Sequence, residues 1–215
     1  MATNPSLTRE TVRSVARNTT DHETTAGPVC HAYLDTENIF LGGASYSAWR
    51  RGMAPCPRVA AGKRIFDPDF RLNFTWLRQF AVGEDPDGTA RTICVGSTKA
   101  GSDSSVFRAY EHSRWQTRVP LRAMSGGEKE NETTIAVEMF DDLLCNPARR
   151  GALDVTLFSG DRDLRPVVER LGQRGIAVDV VAWEHTVSSA LRRLARRFIA
   201  LDPYFDFLSL RSARA

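Results

Sequence analysis

Apolar residues fall in short blocks along this chain, and the blocks alternate between two rhythms. "VCHAYLD" (29–35) is a compact run with a Val and a Tyr, suited to a strand buried on both faces. "ARTICVGS" (90–97), "QTRVPLR" (116–122), "ALDVTLFS" (152–159) and "IAVDVVAW" (176–183) repeat that pattern, and "FIALD" (198–202) makes a short edge strand. Between them the period changes to that of a helix. In "DFRLNFTWLRQFAV" (69–82), Phe70, Phe74, Leu77 and Phe80 share a face, and further helices are predicted over 103–115, 130–144, 164–175 and 186–197. Asp103 or Ser104 can cap the first of these, and Gly175 closes the 164–175 helix. "NIFLGGASYSAWRRG" (38–52) reads as helical in part, weakened by Gly42-Gly43.

Strands alternating with helices predict an α/β fold. The expected architecture is a single Rossmann-like domain with a mainly parallel sheet of about five strands and helices on both faces. Residues 1–27 are polar and Thr-rich and read as a flexible arm, 28–204 as the domain, and 205–215 as a tail. The stretch 51–68, with three prolines and several basic residues, reads as a long loop of a functional or mobile kind.

Composition narrows this picture only slightly. The net charge of +3 permits a polyanionic partner without demanding one. Cys30, Cys56, Cys94 and Cys145 form no CxxC pair and have no His at zinc spacing, which argues against a disulfide framework and a structural zinc. Cys30 and His31 are adjacent, but neighbours on a strand point to opposite faces, so they are not read as a nucleophile and its base. No stretch resembles a signal peptide or a membrane span, so the expected location is the cytoplasm.

The chemistry lies in the acids. In an open parallel sheet, ligands bind beyond the carboxyl ends of the strands. Asp35 ends the first strand, and Asp161 and Asp163 follow the fourth, within "LFSGDRDLRP" (157–166). Glu132 stands at the start of the helix leading into that fourth strand, on the same edge. Singly, each acid has an ordinary reading as a helix cap or a first-turn residue. Together, four carboxylates at one sheet edge repel one another, and hard oxygen ligands suit Mg²⁺ or Mn²⁺. Asn38 can orient a water or a phosphate oxygen, and Ser159 with the Gly160 backbone can donate to a phosphate. Lys129, Arg162 and Arg165 can meet a polyanion. Arg192, Arg193, Arg196 and Arg197 fall on one side of the last helix, where they are either phosphate contacts or a solvated face.

"YLDTEN" (33–38), "KENETTIAVEM" (129–139) and "LFSGDRDLRPVVERLGQRGIAVDVV" (157–181) resemble the signature blocks of the NYN domains, a branch of the PIN-like nuclease superfamily. The third block follows the family's Ser-Gly-Asp-x-Asp, helix, Gly and strand; the first matches its Asp-x-x-Asn at Asp35 and Asn38. The middle block keeps Lys129, but Glu130 replaces the usual Gly, and Glu132 and Glu138 stand where Asp is usual. The resemblance covers roughly residues 29–202, with no matching block from 42 to 88.

The resemblance implies a metal-dependent ribonuclease, read as endonucleolytic, leaving a 5′-phosphate and a 3′-hydroxyl. Asp35, Glu132, Asp161 and Asp163 would hold Mg²⁺ or Mn²⁺, with Asn38 and Ser159 in support. The partner would be single-stranded or structured RNA such as tRNA, and a homodimer is allowed. The alternative from the same residues is a catalytically weak or inactive RNA-binding adaptor, for which the departures at Glu130 and Glu132 speak. A haloacid-dehalogenase-type phosphatase needs Asp-x-Asp after the first strand, where Glu37 stands instead. A dinucleotide oxidoreductase lacks its GxGxxG.

Overall fold

The computed structural model describes residues 29–83, 85, 88–96, 109–110, 112–118, 130–144 and 153–210. Lys129, Cys145, the 1–27 arm and the Asp103/Ser104 cap lie outside them. Six strands form one all-parallel sheet in the order β3-β2-β1-β4-β5-β6. They are β1 (Val29–Asp35), β2 (Arg91–Val95), β3 (Gln116–Arg118), β4 (Leu153–Phe158), β5 (Val178–Ala182) and β6 (Phe198–Ala200). The count is thus six rather than about five, with "FIALD" pairing alongside β5 as a full member. β1 is central, in register with β2 through Asp35↔Val95 and with β4 through Leu34↔Phe158.

Alternate residues of the strands other than β3 enter two separate cores. Ala32 and Leu34 of β1 pack on one face with Ile39, Phe70, Leu77, Trp115 and Trp183. Tyr33, between them, packs on the other with Ile135, Met139, Val168 and Leu171. This two-sided burial explains the nearly continuous apolar runs of the strands, since a parallel sheet has no wet face.

The first face is covered by α1 (Thr36–Arg50), α3 (Phe74–Val82) and α7 (Phe205–Leu208), the second by α4 (Asn131–Leu144), α5 (Arg165–Gln173) and α6 (Ser189–Leu194). The Gly42-Gly43 pair does not interrupt α1, which runs for 15 residues. A side chain there would collide with neighbouring rings: a Cβ on Gly42 would overlap Trp183 Cδ1, and one on Gly43 would stand 2.5 Å from Phe70 Cζ. The glycines lower helix propensity by about 1 kcal/mol each but let two large aromatic residues approach the helix backbone.

Three other boundaries differ from expectation. Residues 51–68 are not a plain loop, because Pro57–Gly62 form a further helix, α2, with proline at its start and Ala60 buried beneath it. Asp67 anchors the far end of this segment, accepting from Ser47 Oγ and Arg51 Nη1, both at 2.6 Å. Secondly, α3 begins only at Phe74, where Asn73 accepts from the Trp76 N–H at 3.1 Å; Phe70 is core without being helical. Thirdly, the packed unit continues past 204, because Phe205 and Leu208 of α7 are buried and Leu72 bridges to Ser209.

Candidate active site

The strand order reverses direction between β1 and β4, because the chain builds outward on both sides of that pair. Such a switch point opens a crevice at the carboxyl ends of the strands. Asp35 is the last residue of β1 and Ser159 the first after β4, so both stand at this crevice.

Asp35 serves the helix and the crevice at once. As the cap of α1 it accepts the Asn38 N–H on Oδ1 at 3.1 Å, while Oδ2 accepts from Ser159 Oγ at 2.9 Å. Asn38 returns a link to the other strand end, its Oδ1 accepting from the Gly160 N–H at 2.9 Å. Ser159 Oγ in turn accepts from the Asp161 N–H at 3.1 Å. A short web thus fixes both strand ends together. Gly160 is required within it, since a Cβ would stand 2.7 Å from the carbonyl oxygen of Thr186.

Asp35, Glu132 and Asp161 come together, with one carboxylate oxygen from each lying within 4.8 Å of the others. Asp35 is 2% exposed. Its pKa is pushed up to about 6, chiefly by burial and further by the charges of Glu132 and Asp161, against the bonds from Asn38 and Ser159. Oxygens on one Mg²⁺ at about 2.1 Å stand at most about 4.2 Å apart. A slight closure of these side chains meets that limit, and all-carboxylate hard donors suit such an ion. The residues present therefore fit a divalent cation.

The fourth expected acid does not join the set among the described residues. Asp163 is exposed in a single 3-10 turn (Arg162–Leu164), and its N–H is held by Asp161 Oδ1 at 3.0 Å. Arg162 is exposed beside Asp161. Glu138 also stands apart, accepting from Arg118 Nε at 2.5 Å and Arg91 Nη2 at 3.4 Å. The sequence reading overlooked Asn131, 1% exposed next to Glu132. Its Nδ2 donates to Glu37 Oε2 at 3.4 Å, and its Oδ1 has no hydrogen-bond partner among the described residues. Nothing in the sequence separated it from an ordinary helix-start asparagine.

The arginine quartet requires correction. α6 ends at Leu194, so Arg196 and Arg197 do not continue the face of Arg192 and Arg193. Both turn instead to the buried Asp179 on β5, Arg196 Nε donating at 2.8 Å and Arg197 Nη2 at 2.5 Å, and Arg196 also reaches Asp154 at 3.0 Å. Asp179 is held below the usual carboxylate range: burial opposes this, but the bonds and charges of the two arginines outweigh it. They neutralise a buried charge near the start of the strand rather than facing the crevice. Arg192 pairs with Glu184 at 2.7 Å and lies over the Phe198 ring at 4.3 Å, and Arg193 is exposed.

Fold and site together define an all-parallel α/β domain with a carboxylate cluster at its topological switch point. The chain belongs to the NYN domain family, whose pattern it matches over residues 53–202. That match begins after β1, so Asp35 is tied to the site by the geometry rather than by the matched range. The fold is similar to that of a protein of unknown function from Vibrio parahaemolyticus, with a TM-score of 0.57 at 16% identity over 88% of this chain and 100% of that one. No curated protein matches the chain. Among the described residues, no helix is long and apolar enough to cross a membrane.

Proposed function

We propose that the protein is a metal-dependent ribonuclease acting on phosphodiester bonds. The observation that carries this reading is the convergence of Asp35, Glu132 and Asp161 at the switch point, with Asp35 buried among like charges. Uncompensated buried carboxylate is costly, and folds tolerate it mainly where a charged ligand relieves it. NYN domains generally act on RNA. Asp35, Glu132 and Asp161 would hold a Mg²⁺ or Mn²⁺ ion, which supplies Lewis-acid activation of water and charge neutralisation at the phosphodiester.

The remaining residues would position and bind. Ser159 and Asn38 fix the Asp35 carboxylate through the bonds described above, so that its oxygens face the crevice in one orientation. Arg162, Arg193 and Lys129 would offer positive charge to flanking phosphates, and Asp163 would act through solvent at the mouth of the crevice.

The test is cleavage of labelled single-stranded RNA and tRNA by the purified chain in Mn²⁺, Mg²⁺ or EDTA. Asp161→Asn keeps the cap on the Asp163 N–H, because an amide oxygen still accepts, yet loses the charge. Charge stabilisation of several kcal/mol corresponds to a loss of more than about a hundredfold in rate. Cleavage that persists in EDTA, or at wild-type rate in Asp161→Asn, would refute the reading. A wild type that binds RNA without cutting it would leave the adaptor.

A further inference from the structure

Asn131 has no part in the chemistry assigned to the acids, yet it is buried beside them. It opens α4 next to Glu132 and is 1% exposed. Its Nδ2 reaches across to Glu37 Oε2 at 3.4 Å, so the amide lies between the first turns of α4 and α1. Those two turns also bring Glu132 and Asp35 together, since Glu132 follows Asn131 directly and Asp35 caps α1 two residues before Glu37. Charge fixes the orientation of the amide, because exchanging its ends would turn a carbonyl oxygen onto the Glu37 carboxylate. Oδ1, on the same carbon as Nδ2, is left in this seam with no donor among the described residues. A buried carbonyl without a donor forfeits stability and marks a place for a water or an ion.

Several other buried polar atoms lack a partner among the described residues, but they stand elsewhere. Arg78 Nε, Thr117 Oγ1 and His185 Nδ1 belong to segments that carry none of the three acids. Thr36 Oγ1 also lies in the first turn of α1. Thr36, however, turns toward Gly96 and the Tyr110 hydroxyl, on the face of the sheet away from α4.

We propose that Asn131 is a positioning residue of the cation site, its Oδ1 accepting a hydrogen bond from a water of the ion held by Asp35, Glu132 and Asp161. The inference rests on the cation part of the ribonuclease reading and not on cleavage. Three carboxylates leave part of an octahedral shell to water, and Mg²⁺ gives up its waters reluctantly. A water bound through its oxygen donates outward, and Oδ1 can only accept, so the two match. Neighbours on a helix do not face the same way, which gives the ion to Glu132 and the water beside it to Asn131.

Mn²⁺ affinity is read without RNA, from the free-ion EPR signal, and stability from urea unfolding in EDTA. Asn131→Leu keeps the side-chain volume and removes the acceptor. It should bind Mn²⁺ about 10–100-fold more weakly, the usual effect of removing a residue that stands behind a metal ligand. Its unfolding midpoint should match the wild type or lie above it. Asn131→Asp keeps an oxygen and loses the donor to Glu37, and it should bind Mn²⁺ no more weakly than the wild type. Asn131→Leu/Thr133→Asp adds the same charge on the exposed side of that turn and should not recover the loss. A lowered midpoint with unchanged affinity in Asn131→Leu would make Asn131 a merely structural residue and overturn the proposal. So would an Asn131→Asp that binds as weakly as Asn131→Leu, which credits the bond to Glu37, or a double variant that recovers, which credits charge alone. A wild type that binds no Mn²⁺ overturns the proposal together with the cation site. A wild type that binds Mn²⁺ and leaves RNA uncut refutes the nuclease reading alone.

Discussion

Asp35→Asn should stabilise the metal-free protein at neutral pH but not at acid pH. Asn is as good a helix cap as Asp, so the bond from the Asn38 N–H survives, and the Ser159 hydroxyl can reorient to accept from an amide. What disappears is a buried charge beside Glu132 and Asp161. The folded pKa of about 6 lies above the ordinary 3.8, chiefly because of burial. A carboxyl shifted in this direction costs nothing below pH 3.8; its cost grows as pH rises and is complete above about 6. At 1.36 kcal/mol per tenfold change in proton affinity, the gap amounts to about 3 kcal/mol. Urea denaturation of both proteins in EDTA, from about pH 4 to 7.5, measures it. Asp67, Asp85 and Asp179 are held below the usual range and lose stability on acidification, but they do so in both proteins and cancel in the difference. The expected difference is near zero at the acid end and about 3 kcal/mol in favour of Asp35→Asn at pH 7.5. Saturating Mn²⁺ should reverse the order, because only the wild type keeps the full carboxylate set. A difference that stays flat across this range would refute the picture of a strained acidic cluster.

Other consequences follow from packing and charge. Gly43→Ala should destabilise by roughly 1–3 kcal/mol in thermal or urea unfolding, because the new methyl meets the Phe70 ring; an unchanged midpoint would show that the ring can yield. Asp179→Asn should cost roughly 2–3 kcal/mol, since two arginines lose their shared charged acceptor. The loss should be fully present at neutral pH and shrink below about pH 4, where the unfolded-state carboxyl protonates, and it should leave RNA cleavage intact. Cleavage lost in parallel with stability would place Asp179 nearer the chemistry than its strand position allows.

The residues differ in how far local pattern could place them. Asp35 and Asp161 were legible because one closes a strand of recognisable period and the other follows closely on the end of a second, and parallel strands bring their ends to one edge. Glu132 was legible as the start of a helix entering β4. Asp163 was not separable from Asp161 by sequence. The 3-10 turn commits the Asp161 side chain to capping the Asp163 N–H, and it leaves Asp163 in solvent, outside the triad. The periodicity of Arg192–Arg197 likewise promised one continuous face. The helix stops at Leu194, and the buried Asp179, 17 residues from Arg196, draws the next two guanidinium groups away.

By itself, the sequence determined the alternation of strands and helices, the parallel sheet and the edge at which acids gather, because these follow from periodicity and chain direction over short stretches. Tertiary structure decided the rest. It determined that Gly42 and Gly43 sustain a helix rather than break one, since Trp183 and Phe70 arrive from distant segments to occupy the space they leave. It selected three of four acids for the cluster, turned part of a proline-rich basic stretch into α2, and assigned Arg196 and Arg197 to a buried carboxylate. Each of these outcomes depends on close approach or charge pairing between residues far apart along the chain, and those energies have no signature in a local pattern.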